Sequence, residues 1–441
     1  MNILKSNILL TLTLLISATL LAQQAHSAER EIRVTKAERV GMSSERLTRI
    51  GRGMRRLIDA DKIPGTVTLV ARRGEVVHYE ANGLRNIAAG LPMEKDTIFR
   101  LYSQSKPVTG AAIMMLFEEG HFLLTDPIAK YLPEFANMQV YVSEENGETQ
   151  TTPARAITIQ HLLTHTSGLS YAFFPTPVGK MYVQAGVLGS APDNSSANLK
   201  EWTTALANLP LVAQPGTEWN YSVGMDVLGR LIEVVSGQSL REFLQARIFA
   251  PLGMTDTDFY VPTEKLPRFA ANYMPKPGGG MQLADDPKNS PYSKLPALEM
   301  GGSGLVGTVG DYLKFAQMLA NKGEYEGTRL LGRKTVEFMT SNHLTPEFPD
   351  DPLTSLFGLL GGGYRAWGVG FGITGSVVTN PATSALPVSK GTYSWGGAAT
   401  THFWIDHEEE IVGLVHTQLL PDGTYPVREL MQLLTYQAII D

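Results

Sequence analysis

The chain has 441 residues, of which 43% are hydrophobic and 18% are charged, and its formal net charge is −6. This composition excludes a disordered chain and supplies enough apolar side chains for a large core. The excess of acidic over basic residues argues against a nucleic-acid-binding surface. Cysteine is absent, which excludes disulfides, cysteine nucleophiles and thiolate metal sites. The length corresponds to about three domain-sized units, or to one large region of interleaved parts.

The first 27 residues have the order of regions that is typical of a secretory signal peptide. Lys5 is their one charged residue, a mostly apolar stretch of about 15 residues follows it, and small residues surround His26. This stretch is shorter than the ~20 residues that a helix needs to span a bilayer. We therefore predict cleavage near Ser27, export to the periplasm or the medium, and a mature chain over residues 28–441 that is not inserted in a membrane.

Strand patterns lie near both ends of the chain, and helical patterns occupy the middle. An amphipathic helix is predicted from Ser44, and a β-hairpin is predicted over residues 66–79. Strands are predicted over residues 393–405 and 411–417, and a last helix over residues 426–440. This order predicts an α/β region built from both chain ends, approximately residues 40–110 and 300–441, with a helical region over approximately residues 111–299 inserted between them.

A Ser-x-x-Lys motif carries the first chemical information. Ser103 and Lys106 are three residues apart and precede an apolar stretch that starts at Pro107. Because proline is tolerated in the first turn of a helix, Ser103 is predicted at the helix N-terminus with Lys106 on the same face. A lysine desolvated by apolar walls loses its proton more easily and can act as a base toward serine. A solvated surface pair is the alternative interpretation of this motif.

Further motifs in a fixed order give the chain a resemblance to a known superfamily. These are the stretches His161-Leu162-Leu163-Thr164-His165-Thr166-Ser167-Gly168, Tyr221-Ser222-Val223, Pro251-Leu252-Gly253-Met254, Gly301-Gly302-Ser303-Gly304 and Trp395-Gly396-Gly397. Together with Ser103 and Lys106 they resemble the serine β-lactamases and penicillin-binding proteins, especially the class C-like branch and the family VIII carboxylesterases. The resemblance implies an antiparallel sheet flanked by terminal helices, with an inserted helical domain.

The resemblance also implies a role for each matching position. Ser103 corresponds to the acylated nucleophile, Lys106 to the lysine that assists its deprotonation, and Tyr221 to the tyrosine that relays protons. The backbone N–H groups of Ser103 and Ala398 would form the oxyanion hole. The implied substrate-binding residues are Trp395, Gly396, Gly397 and Val223. Neither a metal nor a cofactor is implied.

Two departures from the class C β-lactamases decide the functional prediction. Those enzymes have Asn where this chain has Val223, and Lys at the start of the third motif where this chain has Trp395. That lysine meets the carboxylate of a lactam, whereas an aromatic wall suits an uncharged group. The sequence therefore predicts an exported serine carboxylesterase acting on small-molecule esters with short acyl chains. The alternatives are a β-lactamase or DD-peptidase, and a non-catalytic binding or sensor protein of the same fold.

Overall fold

A computed structural model describes residues 32–189, 197–344 and 368–441, so the predicted signal peptide lies outside the described residues. The α-helices in these ranges are α1 (Ser44–Asp59), α2 (Lys106–Glu118), α3 (Ile159–Leu163), α4 (Pro177–Gln184), α5 (Leu199–Leu206), α6 (Gly224–Ser236), α7 (Leu240–Leu244), α8 (Ala250–Leu252), α9 (Val309–Ala320), α10 (Arg333–Met339), α11 (Pro381–Ser384) and α12 (Val427–Tyr436). None of them combines the length and the hydropathy that a bilayer-crossing helix requires.

The strands in the same ranges are β1 (Gly65–Arg72), β2 (Glu75–Asn86), β3 (Leu91–Pro92), β4 (Phe99–Arg100), β5 (Gln139–Glu145), β6 (Glu148–Pro153), β7 (Asn272–Pro275), β8 (Met281–Asp285), β9 (Val306–Gly307), β10 (Glu324–Tyr325), β11 (Thr328–Arg329), β12 (Val369–Phe371), β13 (Ser376–Val378), β14 (Tyr393–Gly397), β15 (Thr401–Asp406) and β16 (Ile411–His416). Eight of them form one antiparallel sheet in the order β12-β13-β14-β15-β16-β1-β2-β3. Strands from both chain ends therefore meet where β16 pairs with β1.

The predicted N-terminal hairpin is present, and its strands are longer than expected. β1 pairs with β2, and the two-residue turn between them is Arg73-Gly74. Both turn residues have positive φ, +51° and +79°, as a type I′ turn requires. The hairpin could be predicted because the sequence Arg73-Gly74 suits such a turn.

The central strands of the sheet are buried on both faces. Every residue of β1 and of β16 is buried. On one face, Leu414 and Val412 join a core shared with α2, α6 and α9. On the other face, Val415 and Ile411 pack against α1 and α12. The predicted antiparallel sheet with flanking terminal helices and an inserted helical part is confirmed, while the domain limits remain a prediction.

The structure corrects the predicted strand over residues 393–405. The segment forms two strands, β14 and β15, which pair antiparallel so that Tyr393 faces Ile405. Thr400, in the turn between them, has a left-handed φ of +62°. Threonine rarely adopts this conformation, and the sequence therefore did not mark the turn. The Trp395-Gly396-Gly397 motif consequently lies on the third strand from the C-terminus, not on the penultimate one.

Candidate active site

Ser103 lies in a 3-10 turn, Tyr102–Ser105, that leads directly into α2 with Pro107 in the first turn of that helix. Residues Lys106 to Leu116 of α2 are all buried, because this helix runs through the middle of the molecule. Tyr102 has a φ of +45°, an uncommon value for a non-glycine residue. Its hydroxyl accepts a hydrogen bond from Asn272 Nδ2 at 3.1 Å, so tertiary contacts hold the strained residue that precedes Ser103.

Two side chains converge on the Ser103 hydroxyl. Lys106 Nζ lies 3.0 Å from Ser103 Oγ, and Tyr221 OH lies 2.6 Å from the same atom. Lys106 Nζ also donates to the carbonyl oxygen of Gly302 at 2.7 Å. Tyr221 lies in the chain just before α6, 118 residues from Ser103. The packing of α6 against α2 thus brings together the three residues that the sequence proposed as nucleophile and proton carriers.

The burial of this cluster controls its protonation. Desolvation lowers the pKa of Lys106 to about 7, and the opposing effect of the Asp226 charge only partly offsets this. A substantial fraction of Lys106 is therefore neutral near pH 7 and can accept the serine proton. Desolvation raises the pKa of Tyr221, against the effect of its hydrogen bond to Ser103. Tyr221 therefore keeps its proton at neutral pH and is available as a donor.

The third motif forms one wall beside this cluster. The Trp395 ring centroid lies 5.7 Å from that of Tyr221 and 5.3 Å from that of Phe371, with the Phe371 ring perpendicular. Trp395 is buried, and its side-chain hydrogen bond with Tyr221 opposes the rise that desolvation causes in the pKa of the Tyr221 hydroxyl.

The two glycines of the motif allow close approaches that a side chain would block. A Cβ on Gly396 would lie 2.1 Å from His402 Nδ1, and a Cβ on Gly397 would lie 2.1 Å from the carbonyl oxygen of Leu101. Gly397 therefore lets β14 lie against the backbone that precedes Ser103. The next residue, Ala398, is anchored because its carbonyl accepts the N–H of Asp422 at 2.7 Å.

This close approach leads to a prediction for Gly397→Ala. The added methyl group would meet backbone, so β14 must move away from Ser103 or strain the loop. We expect the free energy of unfolding to fall by about 1–3 kcal/mol. We also expect kcat/KM for an ester to fall by roughly 10- to 100-fold, since small displacements of reacting groups are costly. Urea unfolding and steady-state kinetics would test this, and wild-type values in both would contradict the assigned packing.

A cavity of about 450 Å³ opens over Ser103, and its surface is mostly apolar. The lining residues are Tyr102, Ser103, Tyr171, Phe173, Gly189, Tyr221, Ser303, Val369, Ser376, Val378, Ser384, Leu386, Val388, Thr392, Ser394, Trp395, Gly396, Gly397, Ala398, His402, Leu420, Pro421, Asp422, Arg428 and Gln432. The size is in the range of small-molecule sites. The predicted substrate-binding residues Trp395, Gly396 and Gly397 and both predicted oxyanion-hole residues are therefore at one cavity.

Val223 is the exception among the predicted substrate-binding residues. It is fully buried and is not one of the residues that line the cavity. It precedes α6, and its Cγ1 would lie 2.5 Å from a Cβ on Gly189. The role of Val223 in substrate binding stays a prediction, because its buried side chain lies behind Gly189, which lines the cavity.

The sequence did not single out two residues that border the cluster. The Tyr171 ring lies 5.5 Å from Lys106 Nζ and 5.1 Å from the Tyr221 ring. Asp226 is fully buried in the first turn of α6 and accepts the N–H of Gly302 at 2.8 Å. A charged residue inside the apolar run Met225-Asp226-Val227-Leu228 could have indicated that Asp226 is functional. No pattern in the sequence distinguished Tyr171 from other tyrosines.

Comparisons with known proteins identify the family to which the chain is similar. A sequence model of the family described as Beta-lactamase matches residues 51–436. Protein Rv1367c of Mycobacterium tuberculosis is 38% identical over 374 residues, which cover 84% of this chain and 89% of the relative. Esterase EstB of Burkholderia gladioli is 31% identical over 379 residues, which cover 82% of this chain and 88% of EstB.

Among solved structures, the chain is similar to EstCE1, described as a hydrolase with promiscuous acyltransferase activity. The two share 27% identity and superimpose with a TM-score of 0.75 over 89% of this chain and 99% of EstCE1. The β-lactamase-like fold that the sequence motifs implied is thereby confirmed. Since the family match spans most of the chain, and the relatives are matched over most of their own length, the protein belongs to the beta-lactamase family. With an esterase and a hydrolase among these relatives, it is an enzyme of the serine-hydrolase class.

Proposed function

We propose that this protein is an exported carboxylesterase that cleaves small esters with short acyl chains through an acyl-enzyme on Ser103. The observation that carries the proposal is the convergence of Lys106 Nζ and Tyr221 OH on Ser103 Oγ inside a mostly apolar cavity. EstB and EstCE1, whose names describe an esterase and a hydrolase, support the same reaction class.

Acylation in this proposal begins when neutral Lys106 accepts the proton of the Ser103 hydroxyl. Ser103 Oγ attacks the ester carbonyl carbon, and the negative charge moves to the carbonyl oxygen. The N–H groups of Ser103 and Ala398 stabilise that oxyanion. The C–O bond to the alcohol then breaks, Tyr221 donates a proton to the departing oxygen, and Tyr221 recovers a proton from protonated Lys106. The alcohol leaves, and the acyl group stays on Ser103.

Deacylation uses the same groups with water as the nucleophile. Neutral Lys106, acting through Tyr221, takes a proton from water, and the hydroxide equivalent attacks the acyl carbonyl. The bond to Ser103 Oγ breaks, the serine regains its proton, and the carboxylic acid leaves.

Trp395 narrows the space beside Tyr221, which supports a preference for acetyl or butyryl groups over long chains.

The most direct test is intact-mass spectrometry of the purified mature chain. A fluorophosphonate should add one adduct per molecule, and a short p-nitrophenyl ester should leave a transient acyl adduct. A stable penicillin adduct without turnover of the ester would favour the DD-peptidase alternative. Failure of both probes to react would favour a binding or sensor protein. N-terminal sequencing of the exported protein would test cleavage near Ser27.

We expect kcat/KM for p-nitrophenyl butyrate to exceed that for a chromogenic cephalosporin by at least ~10²-fold, a difference of ~2.7 kcal/mol. Lactam substrates carry a carboxylate. The third motif has Trp395 at the position of the lysine that would bind this carboxylate. Among the described lining residues, the one Lys or Arg is Arg428, which pairs with Glu429 at 2.9 Å. A charged hydrogen bond contributes ~1.5–3 kcal/mol, which accounts for most of the difference.

The variant Trp395→Lys should raise cephalosporin acylation relative to ester acylation. Trp395→Phe is the matched control, because it also removes the indole but adds no charge. A cephalosporin kcat/KM equal to or above that of the ester in the wild-type enzyme would reject the esterase proposal in favour of a β-lactamase.

A further inference from the structure

A buried carboxylate lies behind the lysine of the cluster, and the proposed reaction steps do not use it. Asp226 is fully buried in the first turn of α6. Within the described residues, no Lys, Arg or His nitrogen forms an ion pair with it, and its Oδ2 has no hydrogen-bond partner. A buried charge with one unsatisfied oxygen is costly, so the fold retains Asp226 against a stability penalty.

One residue connects this carboxylate to the lysine. The N–H of Gly302 donates to Asp226 Oδ1 at 2.8 Å, and the carbonyl of Gly302 accepts from Lys106 Nζ at 2.7 Å. A Cβ on Gly302 would lie 3.1 Å from Asp226 Oδ2, so glycine permits this close approach. The preceding residue is also held, since the carbonyl of Gly301 accepts from Thr109 Oγ1 at 2.7 Å. The loop that contains Gly301 and Gly302 therefore fixes the position of Lys106 Nζ relative to α6.

Asp226 is also the source of negative charge in the described surroundings of Lys106. The α2 side contributes Ser103, and the chain before α6 contributes the Tyr221 ring at 4.8 Å. The segment after α3 contributes Tyr171 and the buried His165, whose pKa is lowered well below its usual value by desolvation and by the charge of Lys106. Both tyrosines have raised pKa values, so these neighbours are neutral near pH 7.

We propose that Asp226 is a positioning residue that holds Lys106 against Ser103 through Gly302 and whose negative charge favours the protonated form of Lys106. This inference rests on the proposed role of Lys106 as the base for Ser103. It assigns Asp226 two separable contributions, a hydrogen-bond acceptor that fixes geometry and a charge that sets how readily Lys106 gives up its proton.

The sign of the charge effect follows from the direction of each contribution. Burial lowers the pKa of Lys106 to about 7, and the Asp226 carboxylate raises it against that effect. Burial raises the pKa of Asp226 to about 6, opposed first by the Gly302 N–H and then by Lys106. Removing the carboxylate charge should therefore lower the pKa of Lys106 further, and the neutral base should form at lower pH.

The test is the rate of inactivation by a fluorophosphonate between pH 5 and 9, which does not depend on ester turnover. Asp226→Asn keeps an oxygen that can accept from Gly302 but removes the charge. Its half-maximal inactivation rate should move to lower pH by at least about 0.5 unit. Asp226→Ala also removes the acceptor, and its rate at high pH should fall by about tenfold or more. Circular dichroism would verify that both variants are folded.

Asp311→Asn is the matched control. Asp311 is also buried in the first turn of a helix, α9, and accepts a backbone N–H, that of Asp256, at 2.7 Å. It has no contact with Lys106 or Gly302, so the pH profile of Asp311→Asn should match that of the wild type. An unmoved profile in Asp226→Asn would overturn the inference, even if the rate fell equally at every pH. Absence of labelling in the wild type would instead reject the proposed function itself.

Discussion

Replacing Ser103 with alanine is expected to reduce ester kcat by about 10⁴-fold or more, because a nucleophile and its base act as one unit. The hydroxyl oxygen is the point on which Lys106 and Tyr221 converge, at 3.0 and 2.6 Å. Without it, neither side chain has a proton to move. The loss should appear in kcat with little change in KM, since the cavity walls remain.

The identity of the nucleophile can be measured directly by peptide mapping after one equivalent of a fluorophosphonate. The label should be found on Ser103 and should be absent from Ser103→Ala. Ser167→Ala is the control, because Ser167 is buried and its hydroxyl accepts the N–H of Leu169 at 3.3 Å outside the cavity. Label on Ser167 or Ser303, with none on Ser103, would show that the nucleophile was wrongly assigned.

The second large effect is expected when the proton carriers are removed. Lys106→Met and Tyr221→Phe should each slow acylation by ~10²–10⁴-fold, the usual range for loss of a general acid or base. Methionine approximates the length of lysine, so the change removes the amine without opening a large cavity. Single-turnover rates report acylation, and circular dichroism reports the fold.

The pH dependence gives an independent reading of the same assignment. Because burial lowers the pKa of Lys106 to about 7 and the neutral amine is the active form, wild-type kcat/KM should rise as pH increases through about 7. This rise should disappear in Lys106→Met. Tyr393→Phe is the control for Tyr221→Phe, because it also removes a buried tyrosine hydroxyl. Tyr393 donates to the Ile373 carbonyl at 2.8 Å and does not line the cavity. Near wild-type acylation by Lys106→Met would exclude lysine as the base.

Local patterns explain which parts of the fold could be predicted from the sequence. The hairpin of β1 and β2 was predicted because the turn Arg73-Gly74 ends one apolar strand and starts another. Helix α1 was predicted because Leu47, Ile50 and Met54 repeat with the helical period, and they are buried. The break between β14 and β15 was missed, since it depends on the left-handed φ of Thr400.

The pairing of Ser103 with Lys106 could be predicted from the sequence alone, because two residues three positions apart in one helical turn are neighbours whatever surrounds them. Motif order and resemblance identified Tyr221 and the Trp395-Gly396-Gly397 wall. They meet at one cavity only because α6 packs on α2 and β14 packs on the 3-10 turn before α2. Tertiary structure also buried Val223 completely. It placed Asp226 opposite Gly302, 76 residues away, and buried Lys106 deeply enough to change its protonation. Contacts at such separations and the desolvation that they cause depend on the whole fold, and no local pattern encodes them.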